Sequence, residues 1–232
     1  MSPNRDPHPL LGAVRMTLWL AGVAALLFVP AGAIRWPGAW VFLFEMGGCG
    51  LATELWLARH DPELLAERRS PLVRREQAGW DKILMRIVPV LWLGWLPLMA
   101  LDAMRFRTSY VPVWLRGVGA VAFGASFFIV YLAYRTNSYA SPVVRIQRER
   151  GQKVQTTGPY RFVRHPIYAS GILSYLGIPL LLGSWYGLAM APIMSVLLAI
   201  RAVMEERLLG AQLDGYAEYT VRVRYRLIPM IW

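Results

Sequence analysis

Residues 164–201 read RHPIYASGILSYLGIPLLLGSWYGLAMAPIMSVLLAIR, and between the two flanking arginines lie 36 residues with no Asp, Glu, Lys or Arg. A helix rises 1.5 Å per residue, so the run is too long for one crossing of a hydrocarbon core about 30 Å thick. Pro179 followed by Gly183-Ser184-Trp185 supplies a break near its middle. The run therefore predicts two short helices, about 166–182 and 186–203, folded into a hairpin.

Working outward, four further apolar windows precede the hairpin: 16–34, about 37–58 (apolar apart from Glu45 and Glu54), about 83–101 through Pro89 and Pro97, and 117–134. The expected fold is all-α, a polytopic membrane helix bundle of about six spans; five spans with a re-entrant hairpin is the alternative. Composition agrees, because the 232 residues are 56% hydrophobic and only 17% charged, where soluble domains carry roughly a quarter charged residues. The net charge of +11 thus sits on an apolar chain, which argues against a disordered tail or an ordinary nucleic-acid domain. Anionic lipid headgroups explain the arginines of 59–82 adequately. The single Cys49 excludes an internal disulfide, and His8, His60 and His165 have no metal-ligand spacing, so no metal is expected.

Six spans place both termini on one side with the loops 59–82 and 135–165. Of 25 cations, only Arg35, Arg105, Arg107 and Arg116 then fall on the other side, and the positive-inside rule makes the basic side cytoplasmic. For a bacterial chain this means a multi-pass protein of the inner membrane. The leader MSPNRDPHP precedes an apolar run without a small-residue cleavage signature, so an uncleaved first helix is expected. Tryptophans 36, 40, 80, 114, 185 and 232 lie near helix ends and read as interfacial anchors. The chain divides into 1–134, a four-span membrane region, and 135–232, which holds a loop, the hairpin and a tail.

The hairpin brings the start of its first helix, GPYRFVRHPIYASG (158–171), beside the end of its second, RAVMEERLL (201–209). Pro166 suits a first helical turn, whose free amides favour an anion. Arg201 and Glu205 are spaced i, i+4 and share a face. Each feature has an ordinary explanation: a snorkelling Arg164, a helix-starting Pro166, interfacial Tyr160 and Tyr168, a surface pair Arg201–Glu205, a structural His165. What favours a site is that both polar clusters fall at the same end of the hairpin.

The run QKVQTTGPYRFVRHPIY, the apolar hairpin, R-x-x-x-E-E and the tail Y-x-x-Y ending in LIP, over roughly 135–232, resemble the isoprenylcysteine carboxyl methyltransferase family and the related membrane phospholipid methyltransferases. Three departures stand out: Ala169-Ser170-Gly171 where relatives place an earlier glycine, a segment between Glu206 and Tyr216 about one residue short, and Arg145 where eukaryotic members can place glutamine. The resemblance implies S-adenosylmethionine as cofactor. It implies cofactor contacts at Tyr160, His165, Pro166, Ile167 and Tyr168, at the upstream segment Gln152, Lys153, Val154 and Gln155, and at Glu205. Arg201 matches the arginine implicated in substrate binding and catalysis.

The implied reaction is methyl transfer to a polar group of a lipophilic acceptor, with carboxyl O-methylation of an isoprenylcysteine-like substrate leading. O-methylation of a phenolic lipid and N-methylation of a phospholipid headgroup stay open. An amine acceptor would call for a carboxylate near its proton, which draws attention to Glu206, Glu45 and Glu54. Other classes are a sterol-type membrane reductase, whose C-terminal cofactor region is similar, and a transporter or scaffold using Glu45 and Glu54. Those two sit nine residues apart, two and a half turns, and so fall on opposite faces of an ideal helix. Lipophilic substrate and membrane lipids are the expected partners; oligomeric state stays open.

Overall fold

The computed structural model describes residues 9–232, so the leader and His8 lie outside the described residues. Eight α-helices follow one another: α1 (Pro9–Ala31), α2 (Pro37–His60), α3 (Pro62–Arg69), α4 (Gly79–Ala100), α5 (Val113–Thr136), α6 (Pro166–Leu182), α7 (Trp185–Gln212) and α8 (Tyr216–Arg222). A π-helical turn, Leu101–Arg105, extends α4, and short 3₁₀ turns cover Arg148–Arg150 and Gly158–Arg161. No strand occurs among the described residues, and the fold is an all-helical membrane bundle.

Five helices, α1, α2, α4 with its π turn, α5 and α7, are long and apolar enough to cross a bilayer. The 17-residue α6 is shorter, about 25 Å at the helical rise, yet it joins the same two ends of the bundle as α5. Proline at the first helical position starts α2, α3 and α6, where its missing N–H costs nothing. The hairpin turn forms as expected: Gly183 closes α6 at φ +83, and the Ser184 hydroxyl caps α7 by accepting from the Gly187 amide at 2.9 Å. Two boundaries differ from the sequence reading. Helix α7 runs on to Gln212 instead of ending near 203, because RAVMEERLL stays helical beyond the apolar stretch. The segment 59–82 holds the amphipathic α3, capped by Asp61, whose Oδ1 accepts from the Leu64 amide at 2.9 Å.

Packing joins both halves of the chain. Leu27, Trp36, Phe42, Trp95, Met99, Leu182 and Met194 share one core, and the Trp95 indole donates to the Gly187 carbonyl at 2.8 Å. Trp36 is thus a core residue and not an interfacial anchor, whereas Trp40 and Trp114 are exposed. Helices α5 and α6 touch backbone to backbone through Gly119 and Gly177: a Cβ on Gly119 would sit 2.5 Å from the Leu181 nitrogen, the small-residue packing typical of membrane helices. Val29, Phe44, Val90, Val121 and Phe128 point outward, as a hydrocarbon surroundings allows.

Polar fastenings lie at the two ends. At one, Asp102 accepts from the hydroxyls of Thr108 (2.5 Å), Ser109 (2.6 Å) and Ser184 (2.5 Å), tying the loop after the π turn to the hairpin turn. At the other, Glu67 of α3 binds Arg74 at 2.9 Å and Arg145 at 3.1 Å and accepts from the Ser141 hydroxyl at 2.8 Å. Burial raises the pKa of Glu67, but these partners outweigh it and hold the carboxyl at about 2.

Candidate functional site

The α6–α7 hairpin, α8, Met85 of α4, Arg68, Leu72 and the loop 137–155 line a cavity of about 300 Å³, at the small end of ligand pockets. Every site residue expected from the sequence lines it: Gln152, Lys153, Val154 and Gln155 from the loop; Tyr160, His165, Pro166, Ile167 and Tyr168 around the start of α6; Arg201 and Glu205 from α7. The start of α6 is strapped in place by the C-terminal tail, since the amides of Arg164 and His165 donate to the carbonyls of Tyr225 (3.0 Å) and Arg226 (2.9 Å).

His165 stacks on Tyr168 with ring centroids 5.3 Å apart and planes 3° from parallel. The Tyr168 hydroxyl donates to Glu205 Oε2 at 2.5 Å. Glu205 is the one carboxylate among the described residues lining the cavity, and no arginine or lysine pairs with it there. The Tyr160 hydroxyl accepts from the Asn137 amide at 3.0 Å, and its carbonyl accepts from the Tyr219 hydroxyl at 2.7 Å. Burial pushes the phenols of Tyr160, Tyr216 and Tyr219 upward, so they stay protonated. Val154 packs with Tyr216, Tyr219, Leu209 and Leu213, closing the wall beside α8.

Arg201 is paired otherwise than the i, i+4 spacing suggests. Its Nε donates to Asp81 Oδ1 at 2.8 Å and its Nη2 to Asp81 Oδ2 at 3.4 Å and to the Pro142 carbonyl at 2.7 Å. Asp81 is fully buried and also accepts from the Gln77 side chain (2.7 Å) and the Val144 amide (2.8 Å). Asp81 thus accepts four hydrogen bonds, and Arg201 is neutralised and fixed with its Nη1 edge left over. The guanidinium lies 5.4 Å from the Tyr168 ring centre.

The other charged positions raised by the sequence are engaged or placed elsewhere. Glu206 does not line the cavity; it faces the tail, where Arg164 (3.0 Å), His165 (3.2 Å) and Arg226 (2.9 Å) surround it, so it is no free base. Arg145 borders the cavity, but its guanidinium is spent on Glu67, Glu149 (2.6 Å) and Glu76 (3.4 Å). Glu45 and Glu54 lie on α2 away from this cavity, and Glu54 pairs with Arg69 at 3.0 Å. Sequence reasoning missed Asp81, Arg68 and Asn137. The lone carboxylate in GWDKILM at the edge of an apolar window was a signal for Asp81, but its partner lies 120 positions away. Among the described residues no cluster of His, Cys, Asp and Glu could hold a metal ion.

Residues 114–213 match the family model described as phospholipid methyltransferase. The match covers less than half of the chain and spans α5 to the end of α7. It includes the loop, the start of α6, Arg201 and Glu205, and leaves out Asp81 and α8. No curated protein matches the chain.

Proposed function

We propose that this cavity binds S-adenosylmethionine and that the protein transfers its methyl group to a polar atom of a lipophilic acceptor. One observation carries the reading: the residues of two separated motifs converge on a single cavity that contains one carboxylate without a cationic partner. That donor set suits the group. A sulfonium and an ammonium are attracted to Glu205, a carboxylate to the partly positive first turn of α6, and a purine to the aromatic side chains along the wall.

When bound, the cofactor supplies an electrophilic methyl on sulfur, open to in-line displacement, so the protein's tasks are alignment and exclusion of water. Glu205, held by the Tyr168 hydroxyl, fixes the cofactor's cationic side. Arg201, locked by Asp81 and the Pro142 carbonyl, offers its remaining edge to the acceptor oxygen. The α8 wall with Tyr216 and Tyr219 shields the cavity from water. A carboxylate acceptor arrives ionised and needs no base. A phenol or amine would have to give its proton to Glu205, because the neighbouring tyrosines are held protonated. Carboxyl O-methylation of an isoprenylcysteine-like lipid therefore leads over phenol and amine acceptors. In this reading 135–232 holds the cofactor, 1–134 shapes access for the acceptor, and the cavity faces the cytoplasm.

The test is equilibrium binding of labelled S-adenosylmethionine to the full chain in neutral-detergent micelles, in parallel with a nicotinamide dinucleotide. Binding of the former, weakened about 10- to 100-fold by Glu205→Gln, the loss of one charged interaction of about 1.5–3 kcal/mol, is the expected result. Preference for the nicotinamide would turn the reading toward a reductase.

A further inference from the structure

The charges around the cavity leave one well-placed cation unspent. Arg201 is neutralised by Asp81, Arg145 by Glu67 and Glu149, and Arg164 by Glu206. Lys153 stands at the exposed rim. Arg68 alone sits inside the protein's wall with no carboxylate partner among the described residues. Its guanidinium lies 4.6 Å from the Tyr134 ring centre, and its Nη1 donates to the Ala140 carbonyl at 3.0 Å. Stacking and one hydrogen bond thus orient the plane and leave the Nε–Nη2 edge without a protein partner, the edge that matches an oxyanion in two parallel bonds.

Its position is as specific as its geometry. Arg68 lines both the polar cavity and a second cavity of about 270 Å³ between α2, α3 and α5, with Leu57, Leu65, Val130, Tyr134 and the ion pair Glu54–Arg69. Gly50 and Phe127 of that second cavity also line a third, mostly apolar one of about 360 Å³ between α1, α2, α4, α5 and α6, with Trp19, Trp92, Tyr175 and Ile178. The three spaces therefore adjoin through shared lining residues, and Arg68 stands between the polar site and the two spaces along the helices.

We infer that Arg68 is an oxyanion-docking residue: it receives the anionic head of a single- or double-chain amphiphile whose hydrocarbon lies in the second and third cavities, before the head moves on to Arg201. The ligand chemistry is a carboxylate or phosphate attached to an apolar chain. The inference rests on the methyl-transfer reading only for naming that ligand the acceptor. Arg59, exposed in the last turn of α2 and lining none of the three cavities, serves as the internal control.

The experiment measures binding of dodecanoate and of dodecyl phosphate to the full chain in neutral-detergent micelles, with inorganic phosphate as a third arm and labelled S-adenosylmethionine binding as a fourth. Both amphiphilic anions are expected to bind and to raise the thermal midpoint. Arg68→Gln should weaken them about 10- to 100-fold, the loss of a charged hydrogen-bonded pair. Arg68→Lys should recover part of that loss, Arg59→Gln should change binding less than threefold, and inorganic phosphate should bind far more weakly than either. In turnover, Arg68→Gln should raise KM for the acceptor with kcat little altered. Equal amphiphile binding in Arg68→Gln overturns the inference, as does inorganic phosphate binding as tightly as dodecyl phosphate, which would make this a free-anion site. Loss of S-adenosylmethionine binding in the unaltered protein with intact Arg68-dependent anion binding would instead refute the methyl-transfer reading and leave the anion site standing.

Discussion

Removing the Asp81 carboxylate is the sharpest probe of how the site is built. Asp81 is fully buried and accepts bonds from Arg201, Gln77 and Val144. Asp81→Ala strands a guanidinium, a side-chain amide and a backbone N–H in one step. Breaking a buried ion pair by deleting one partner costs about 3–5 kcal/mol, because the remaining charge stays buried and unpaired. For a chain of this size that lowers the thermal midpoint by roughly 6–20 °C. The assay is thermal unfolding in neutral-detergent micelles followed by tryptophan fluorescence. Asp81→Ala combined with Arg201→Met should recover most of the loss, since replacing both charges by apolar groups is often close to neutral. A drop worth less than about 1 kcal/mol for Asp81→Ala, or strictly additive losses in the double variant, would refute the claim that the two residues act as one buried unit.

Other consequences reach different parts of the molecule. Glu67 is held at about 2 against an ordinary 4.5, equivalent to roughly 3 kcal/mol; because its folded pKa is depressed, this stability is complete above pH 4.5 and is lost as the pH falls from there toward 2. Acid titration of the thermal midpoint should show that loss, and Glu67→Gln should flatten it. Gly119→Ala drives a methyl to 2.5 Å from the Leu181 nitrogen and should cost about 1–3 kcal/mol by overpacking; an unchanged midpoint would mean that α5 and α6 are further apart than described. Asp102→Ala strands three hydroxyl donors at the end opposite the cavity, at roughly 1–3 kcal/mol for each that water does not reach. It should lower the midpoint while leaving S-adenosylmethionine affinity unchanged, which a parallel binding measurement checks.

The hairpin was legible because its signals are local. Pro166 starts α6, Gly183 and Ser184 end it and cap α7, and all three act within a few residues of their own position. The end of α7 was hidden for a related reason: charge marks where a span leaves hydrocarbon, whereas the helix continues while its backbone bonds persist, here to Gln212. Trp36 shows the same limit, since proximity to a helix end does not reveal that the ring turns into the core. At the site, residues near in sequence or near the hairpin ends could be gathered from the chain alone. The pairing of Arg201 with Asp81, of Arg145 with Glu67 and of Glu206 with the tail could not, because each joins segments whose approach is set by tertiary packing. Those pairings decide which charges remain for a ligand, and they move attention to Glu205 and Arg68.

The most direct test of the central claim supplies S-adenosylmethionine labelled in its methyl group to membranes containing this protein, its Glu205→Gln variant, or neither, followed by organic extraction. Label is expected in a lipid-soluble product with the unaltered protein, with a loss of at least tenfold for the variant. No labelled product across the extract, together with no binding of the cofactor to the purified chain, would contradict it.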